Sequence, residues 1–289
     1  MFQNRKAWIS GALIAVLGWI GSGYSMDQIA SQPSPLENSP QEKSSSKLTG
    51  FYLGGFGGWG SNRFDINQKG IAFYDSNYPV GHALVIDAKG HTNKNGYGLF
   101  GMHFGFEWLR KTPSNWSLTP AVELEGFYFS QTKKAHLSNP TDLLDFHEFM
   151  DTFPMHTGVV LANGILALTN KYITPYVGAG LGAGIVSIRH AQGIQVEFPE
   201  TGLNHFNSNP NAFNWNFAAQ IKTGLRYSPI SHIRLFAEYR FLFFSATTYT
   251  FGHTLRTPEF PNHVSTDDWS LRFAGIYNNL FVLGIDFPI

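Results

Sequence analysis

Apolar and polar residues alternate along residues 213–227, FNWNFAAQIKTGLRY, which gives the segment one apolar face and one polar face. Trp215 and Ile221 fall on the apolar face, and Asn216 and Lys222 fall on the polar face. Side chains alternate across a β-strand, and a soluble strand usually holds about five or six residues. A strand that crosses a bilayer needs about 9–11 residues. The pattern therefore predicts a membrane-spanning strand with its polar face turned inward.

Seven further segments have comparable length or alternation. With the first, they make eight predicted strands at residues 49–60, 95–109, 116–130, 155–168, 172–188, 213–227, 232–249 and 268–289. The connections between them alternate between long and short. We predict an all-β fold, an eight-stranded antiparallel up-and-down transmembrane β-barrel with four long external loops and three short periplasmic turns. Residues 82–88 alternate as well, which predicts a strand extension inside the first long loop.

Proline and glycine mark local features of the predicted strands. Pro120 lies inside the third strand, where it predicts a bulge or a local defect because proline cannot donate to the ladder. The fourth strand has an ambiguous inner face, on which we place Asn163, with Val160 outward. Glycines at every second position of residues 178–184 are predicted to face inward and leave room for larger side chains opposite.

The N-terminus has the features of a secretory signal peptide. Arg5 and Lys6 precede an apolar run, and small residues lead up to Ser25. We predict a signal peptide at residues 1–25, with an uncleaved helical anchor as the alternative. Residues 26–47 are rich in Ser, Pro and Gln and are predicted to form a disordered periplasmic leader, which leaves residues 48–289 for the barrel.

Composition supports a lipid-facing surface. Charged residues make up 14% of the 289 residues, aromatic residues 16%, and the formal net charge is zero. Mean hydropathy is only −0.13, as expected when strands alternate between lipid and lumen. The balanced charge argues against nucleic acid as a partner. The absence of cysteine excludes disulfides, thiolate metal sites and a cysteine nucleophile.

Charged residues on the inward faces lie at similar heights along their strands. An eight-stranded barrel is just wide enough for side chains to fill it, so these charges are expected to meet as an ionic network. Its predicted members at mid-strand height are His103, Glu123, Glu125, Lys222, Glu238 and Arg240, with Arg226, Arg234 and Asp286 predicted to lie below them. A structural plug is the favoured interpretation of this network, and a gated ion or proton path is the alternative.

Aromatic residues near the strand ends are predicted to anchor the barrel at the two membrane interfaces. Trp59, Tyr128, Trp215 and Trp269 are assigned to the external interface, and Trp108, Trp116 and Tyr227 to the periplasmic one. A ligand could stack on such rings, but anchoring is their expected use.

Catalytic and metal-binding patterns are weak. Most histidines fall in the long loops, and the helical zinc-binding spacing of two histidines is missing. A lipid-modifying enzyme would need a serine nucleophile and a histidine base, and the candidate pairs are Ser130 with His136 and Ser245 with His253. We predict no enzyme activity, no cofactor and no metal site.

Three segments carry a resemblance to a known family. TGFYLGGFGGWG, ITPYVGAGLGAG and the closing NNLFVLGIDFPI resemble strands of small OmpA-like outer-membrane β-barrels, a group similar to the Opa adhesin barrels. The resemblance covers about residues 47–289. It implies location in the outer membrane of a Gram-negative bacterium and insertion by the barrel-assembly machinery. The chain ends in Phe287, Pro288 and Ile289, so the terminal aromatic signal of such barrels is altered.

The function implied is that of an outer-membrane protein acting through its external loops. It would be a surface antigen, adhesin or host-interaction protein, or it would serve envelope integrity. The expected partners are outer-membrane lipids and lipopolysaccharide, together with a possible host-surface ligand. A lipid-modifying enzyme and a narrow channel are the alternatives.

Overall fold

The computed structural model describes most of the predicted barrel. The described residues are 50–73, 83–108, 116–139, 148–170, 173–197, 199–200, 202–230, 232–256, 258 and 264–289, all within the compact unit Ser46–Ile289. The predicted signal peptide, the predicted leader and the short turn at 110–115 lie outside the described residues. The described part of the chain holds no helix with the length and apolar content of a membrane span.

Fourteen β-strands make up the regular structure of the described residues. They are β1 (Gly50–Arg63), β2 (Asp65–Phe73), β3 (Ala83–Thr92), β4 (Asn95–Glu107), β5 (Ser117–Ser138), β6 (Glu148–Thr169), β7 (Ile173–Ile188), β8 (Gln192–Gln195), β9 (Ala212–Ile230), β10 (Ile233–Phe244), β11 (Thr247–Phe251), β12 (Ser265–Thr266), β13 (Trp269–Phe273) and β14 (Ile276–Pro288).

Eight of these strands close into a barrel. The antiparallel order is β5, β4, β1, β14, β10, β9, β7 and β6, and the pairing of β6 with β5 completes the ring. The first strand meets the last over most of its length, from Tyr52 opposite Pro288 to Arg63 opposite Tyr277. The predicted eight-stranded antiparallel barrel is confirmed.

The two faces of the barrel wall differ as the alternation requires. Outward positions are exposed and apolar, for example Leu181, Ile221 and Leu283, the last of which is 69% exposed. Inward positions are buried and include polar and charged side chains. Asn163 faces inward and Val160 outward, as predicted for the fourth strand.

Beyond the long-loop end, the barrel wall continues upward instead of opening into loops. We call this part the extension, and it consists of β2, β3, residues 131–138 of β5, residues 148–154 of β6, β8, β11, β12, β13 and the segment 203–211. The barrel strands β5 and β6 run into it unbroken. The other strands are interrupted first, as at Phe64 between β1 and β2 and at Ser245 between β10 and β11.

The segment 203–211 closes the gap between the two edge strands of the extension. On one side the amide of His205 donates to the carbonyl of Gly193 in β8, at 2.9 Å. On the other side the amide of Gly252, next to β11, donates to the carbonyl of Asn209, also at 2.9 Å. Both exposed sheet edges therefore find backbone partners, which removes the usual hazard of free strand edges.

An aromatic core fills the extension. Its fully or nearly fully buried side chains include Phe149, Phe153, Phe206, Tyr249, Phe251, Trp269 and Phe273. The rings of Phe206 and Phe251 stack with centroids 4.8 Å apart, and those of Phe153 and Phe273 meet edge to face at 5.4 Å. Ring pairs in these arrangements stabilise a core beyond the effect of their buried area.

The extension corrects several predicted boundaries. Residues 131–153 were expected to form a long polar connection, but β5 and β6 pair through Ser138 opposite Glu148. The cause is a second alternation, in which Lys133, Ala135 and Leu137 face the interior. The seventh and eighth predicted strands are each split, into β10 with β11 and β13 with β14. The strand predicted at residues 82–88 is confirmed as part of β3.

Pro120 causes no bulge, contrary to expectation. It lies opposite Leu166 in an unbroken register between β5 and β6. Its carbonyl accepts a hydrogen bond from the amide of Trp108, at the point where β4 ends after Glu107. Proline is tolerated because the missing N–H would point toward the end of β4, where the ladder stops.

Candidate functional site

The barrel lumen holds a cluster of charged side chains, which we call the lumen network. Inward positions of β4, β5, β9, β10 and β14 supply all nine residues predicted for it. They are His103, Glu123, Glu125, Lys222, Arg226, Arg234, Glu238, Arg240 and Asp286. The structure brings them into one connected set of hydrogen bonds and ion pairs, in which all but Arg234 are at least nine-tenths buried.

Glu123 lies at the centre of the network. Its carboxylate accepts hydrogen bonds from the ammonium of Lys222 and from the guanidinium of Arg226, the latter at 2.9 Å. The hydroxyl of Tyr52 donates a third, at 2.6 Å. A buried carboxylate needs such partners, since removing an ion from water is costly unless charge and hydrogen bonds replace the hydration.

Arg240 joins two further carboxylates. Its guanidinium donates to Glu125 at 2.6 Å and to Glu238 at 2.5 Å. The hydroxyl of Tyr176 donates to the same Glu238 at 2.5 Å. Lys222 lies 3.3 Å from Glu125, which connects this group to the pairs around Glu123.

The network continues toward the short-turn end through β1. The Nε2 atom of His103 in β4 lies 2.8 Å from Asp286 in β14, across the intervening strand. That contact needs Gly54 between them, because a Cβ there would come within 2.4 Å of both side chains. Arg234 then lies 3.8 Å from Asp286 and donates to Glu107 at 2.6 Å.

Several members of this site were not among the predicted residues. They are Tyr52, Glu107, Asn163, Tyr176 and Gln220. The strand parity that marks Glu123 as inward also marks Tyr52 and Tyr176, so the signal for them was present. Arg226 lies over the Tyr176 ring at 4.5 Å, a cation–π contact that sequence spacing alone does not specify.

One triplet of the network has the spacing of a metal site. The ligand atoms of His103, Glu123 and Glu125 lie within 4.8 Å of one another. The two carboxylates already accept from Lys222, Arg226 and Arg240. A metal ion would have to displace these cations, so the arrangement favours an ionic network over a metal centre.

The structure separates both suggested catalytic pairs. Ser130 and His136 project from the same straight strand six residues apart, which is about 20 Å. The five residues of β11 lie between Ser245 and His253, a separation of roughly 16 Å for a strand of that length. His253 pairs instead with Asp268 at 3.1 Å.

Six of the seven predicted interface aromatics project from the outside of the barrel. Trp59, Trp108, Trp116, Tyr128, Trp215 and Tyr227 are all exposed. Trp269 is the exception, because it is completely buried in the core of the extension, where its indole N–H donates to the hydroxyl of Thr254 at 3.2 Å. The prediction for Trp269 is wrong because it starts a strand of the extension, above the barrel.

No family model matches this chain, and no curated protein matches it either. The chain is similar to the solved structure of Neisserial surface protein A, with 12% identity and a TM-score of 0.35 over 83% of this chain and 97% of that one. Outer membrane protein OprG from Pseudomonas aeruginosa shows 12% identity and a TM-score of 0.43, over 84% and 98%. Outer membrane protease OmpT from Escherichia coli shows 8% identity and 0.43, over 86% and 99%. The barrel itself follows from the strand register and not from these neighbours.

Proposed function

We propose that this chain is an outer-membrane protein of a Gram-negative envelope that acts as a surface antigen or adhesin. In this proposal the outer surface of the extension contacts a host molecule. The observation that carries it is the filled interior. Because the lumen network and the aromatic core occupy the inside of the barrel and of the extension, the outer wall is the surface that the described residues leave for recognition.

Membrane placement is supported by the exposed belt of apolar residues between the two ends of the barrel. Phe104, Leu124, Leu181, Ile221 and Leu283 belong to it. Apolar surface of this extent is not tolerated on a water-soluble monomer, since contiguous exposed patches there rarely exceed a few hundred Å². A lipid bilayer covers such a belt.

A small apolar patch on the hairpin of β2 and β3 is the proposed contact surface. Phe73 and Val85 are exposed there, Val85 to 67%, and Ile71 pairs with Val85 across the strands. Polar residues surround them on the outer wall, for example Lys69 opposite Asp87. An apolar centre with a polar rim is the usual anatomy of a protein-binding surface.

An adhesion assay tests this proposal. Cells that carry the parent protein should bind cultured host cells better than cells that lack it. The double variant Phe73→Ser/Val85→Ser should lose that gain. A matched control is Met150→Ser/Ile194→Ser, which removes a second exposed apolar pair from β6 and β8, beyond β5 from the β2–β3 hairpin, and should bind like the parent. Equal binding with and without the protein would overturn the adhesin proposal.

The orientation of the barrel in the outer membrane has a separate test. Tags inserted at residue 77 or 262, in long connections, should be labelled on intact cells. Tags at residue 113 or 170, in short turns, should be labelled only after the outer membrane is permeabilised. The opposite pattern would place the extension in the periplasm and exclude contact with a host.

A further inference from the structure

Three cations form a contiguous group at the base of the extension, which we call the Arg63 cluster: Arg63, Lys94 and Lys134. All three side chains are exposed. Asn62 and Asn95 are cross-strand partners, which brings Arg63 and Lys94 opposite each other just beyond them. The amide of Asn93 donates to the carbonyl of Lys134 at 2.8 Å, and this places Lys94 beside Lys134.

The Arg63 cluster lies at the upper edge of the apolar belt. Arg63 is the cross-strand partner of Tyr277, an exposed aromatic on β14 whose ring packs against Phe243 at 5.2 Å. Trp59, another interface aromatic, lies two outward positions below Arg63 on the same strand. Aromatic residues of this kind mark the level of the lipid head groups. The long side chains of the three cations can reach that level while their backbone stays above it.

The charges of this cluster are not neutralised within the described part of the chain. No described carboxylate forms an ion pair with Arg63, Lys94 or Lys134. Higher on the same wall the situation differs, because Lys69 and Lys89 both lie 3.9 Å from Asp87. Asp65 is the nearest acidic residue along the chain, and its cross-strand partner is His91.

We propose that the Arg63 cluster binds the phosphate groups of a phosphorylated glycolipid, such as lipid A, in the outer leaflet. Arginine offers a planar fork of donors that matches a phosphate, and lysine adds point charge. Head-group phosphates are the anions present at the level where the interface aromatics end. The proposal depends on the outer-membrane placement argued above, and it adds a specific lipid contact on the side of the barrel that carries β1, β4 and β5.

The test is a lipid titration of the folded protein in zwitterionic micelles, with binding measured by native mass spectrometry. The probe is bisphosphorylated lipid A, compared with the same lipid after removal of its phosphates. Lys94→Gln/Lys134→Gln should weaken binding about thirtyfold, since each lysine near a lipid surface contributes on the order of a factor of five. Lys69→Gln/Lys89→Gln removes the same charge from the same wall and should change binding by less than about threefold.

The parent alone provides a second measurement that needs no variant. The affinity of the parent for the dephosphorylated lipid should be about as low as the affinity of Lys94→Gln/Lys134→Gln for lipid A. Equal losses in the two double variants, or equal binding of both lipids by the parent, would overturn the site. Displacement of lipid A by inorganic phosphate at comparable concentration would also overturn the proposal, because it would show that the cluster binds free anions and not a lipid head group. This experiment uses purified protein, so its failure is distinct from failure of the tag labelling or of the adhesion assay.

Discussion

At the scale of single residues, the lumen network depends on matching each buried charge with an opposite one. Five carboxylates, including that of Glu107, face four cations and one histidine inside the barrel. Glu123 has the most partners, since Lys222, Arg226 and Tyr52 all donate to it. The loss of one charged side chain leaves its partners buried without an opposite charge.

Glu123→Ala should therefore destabilise the barrel by about 3–5 kcal/mol, the usual cost of breaking a buried ion pair from one side. Unfolding in lipid by urea or heat measures this. The matched control is Glu148→Ala, which removes the partner of His136 on the outer wall, where an exposed pair contributes only about 0–1 kcal/mol. Equal stability of parent and Glu123→Ala would show that the network does not support the fold.

Asp151 provides a pH-dependent prediction in the extension, outside the membrane-spanning part. Its carboxyl is fully buried beside Phe206, and neither oxygen has a hydrogen-bond partner among the described residues. Burial raises the pKa of Asp151 well above its ordinary value of 3.8. The nearby inward-facing Lys133 does not compensate, because its ammonium donates to the carbonyl of Asn62 at 2.8 Å.

The folded state therefore holds its proton on Asp151 after the unfolded chain has lost it. Above about pH 4 the parent should lose close to 1.4 kcal/mol of stability per pH unit from this group, until the pH reaches the raised pKa. Asp151→Asn cannot ionise, so it should match the parent near pH 4 and exceed it at pH 7. Thermal unfolding across that range measures the difference, and parallel pH profiles for the two proteins would contradict a buried neutral carboxyl.

The residue-scale predictions succeeded where strand parity decides and failed where a neighbour distant in sequence decides. Alternation alone places Glu123, Lys222 and Arg240 inside the barrel. Nothing in the local sequence separates Trp269 from an interface tryptophan, because its burial comes from Phe149 and Phe206, which are far away along the chain.

At the scale of elements, β7 shows how glycine permits close contact with its neighbours. A Cβ on Gly182 would lie 2.0 Å from the carbonyl oxygen of Val160 and 2.9 Å from the Cα of Leu161 in β6. Gly182→Ala should destabilise the barrel by about 1–3 kcal/mol through overpacking. Gly164→Ala on β6 is the control, since a Cβ there meets no atom of the described residues within 4 Å. Urea unfolding of both variants in lipid distinguishes a tight contact from a generic effect of glycine.

The outer face of the same strand tests the lipid contact. Leu181 is exposed midway along β7, between Ala162 of β6 and Ala219 of β9. Leu181→Arg should cost about 2–4 kcal/mol in a bilayer, whereas Ile173→Arg at the short-turn end should cost about 0–1 kcal/mol. If both variants refold into lipid vesicles with the stability of the parent, this face does not contact hydrocarbon.

Most of the extension was not predicted from the sequence, and the strand at residues 82–88, now part of β3, is the exception. The strands of the extension are polar on the outward side, and their inward residues include Lys133 and Asp151, so most of these stretches resemble loops in the sequence. Their regularity comes from pairing between distant segments, such as β3 with β5 and β13 with β2. Long uninterrupted alternation identified the barrel strands, whereas most strands of the extension also need pairing partners that are distant in sequence.

At the scale of the whole molecule, the interior is blocked at two successive levels along the barrel axis. The lumen network fills the membrane-spanning part, where Arg240 packs over the Phe56 ring at 4.3 Å. Above it lies the aromatic core of the extension, with its wall closed by the segment 203–211. An ion that crossed the membrane would have to displace both.

The parent protein should therefore show no steady conductance in planar bilayers. Glu125→Ala should still show none, although it removes one of the two carboxylate partners of Arg240, because the aromatic core remains closed above it. A disulfide-free large-pore porin reconstituted in the same bilayers serves as the positive control for insertion and detection. Steady, ion-selective current through the parent, altered by Glu125→Ala without loss of stability, would make the network an ion path and the protein a channel. Current that appears only in Glu125→Ala would show that the lumen network is the sole seal and that the extension opens on its own.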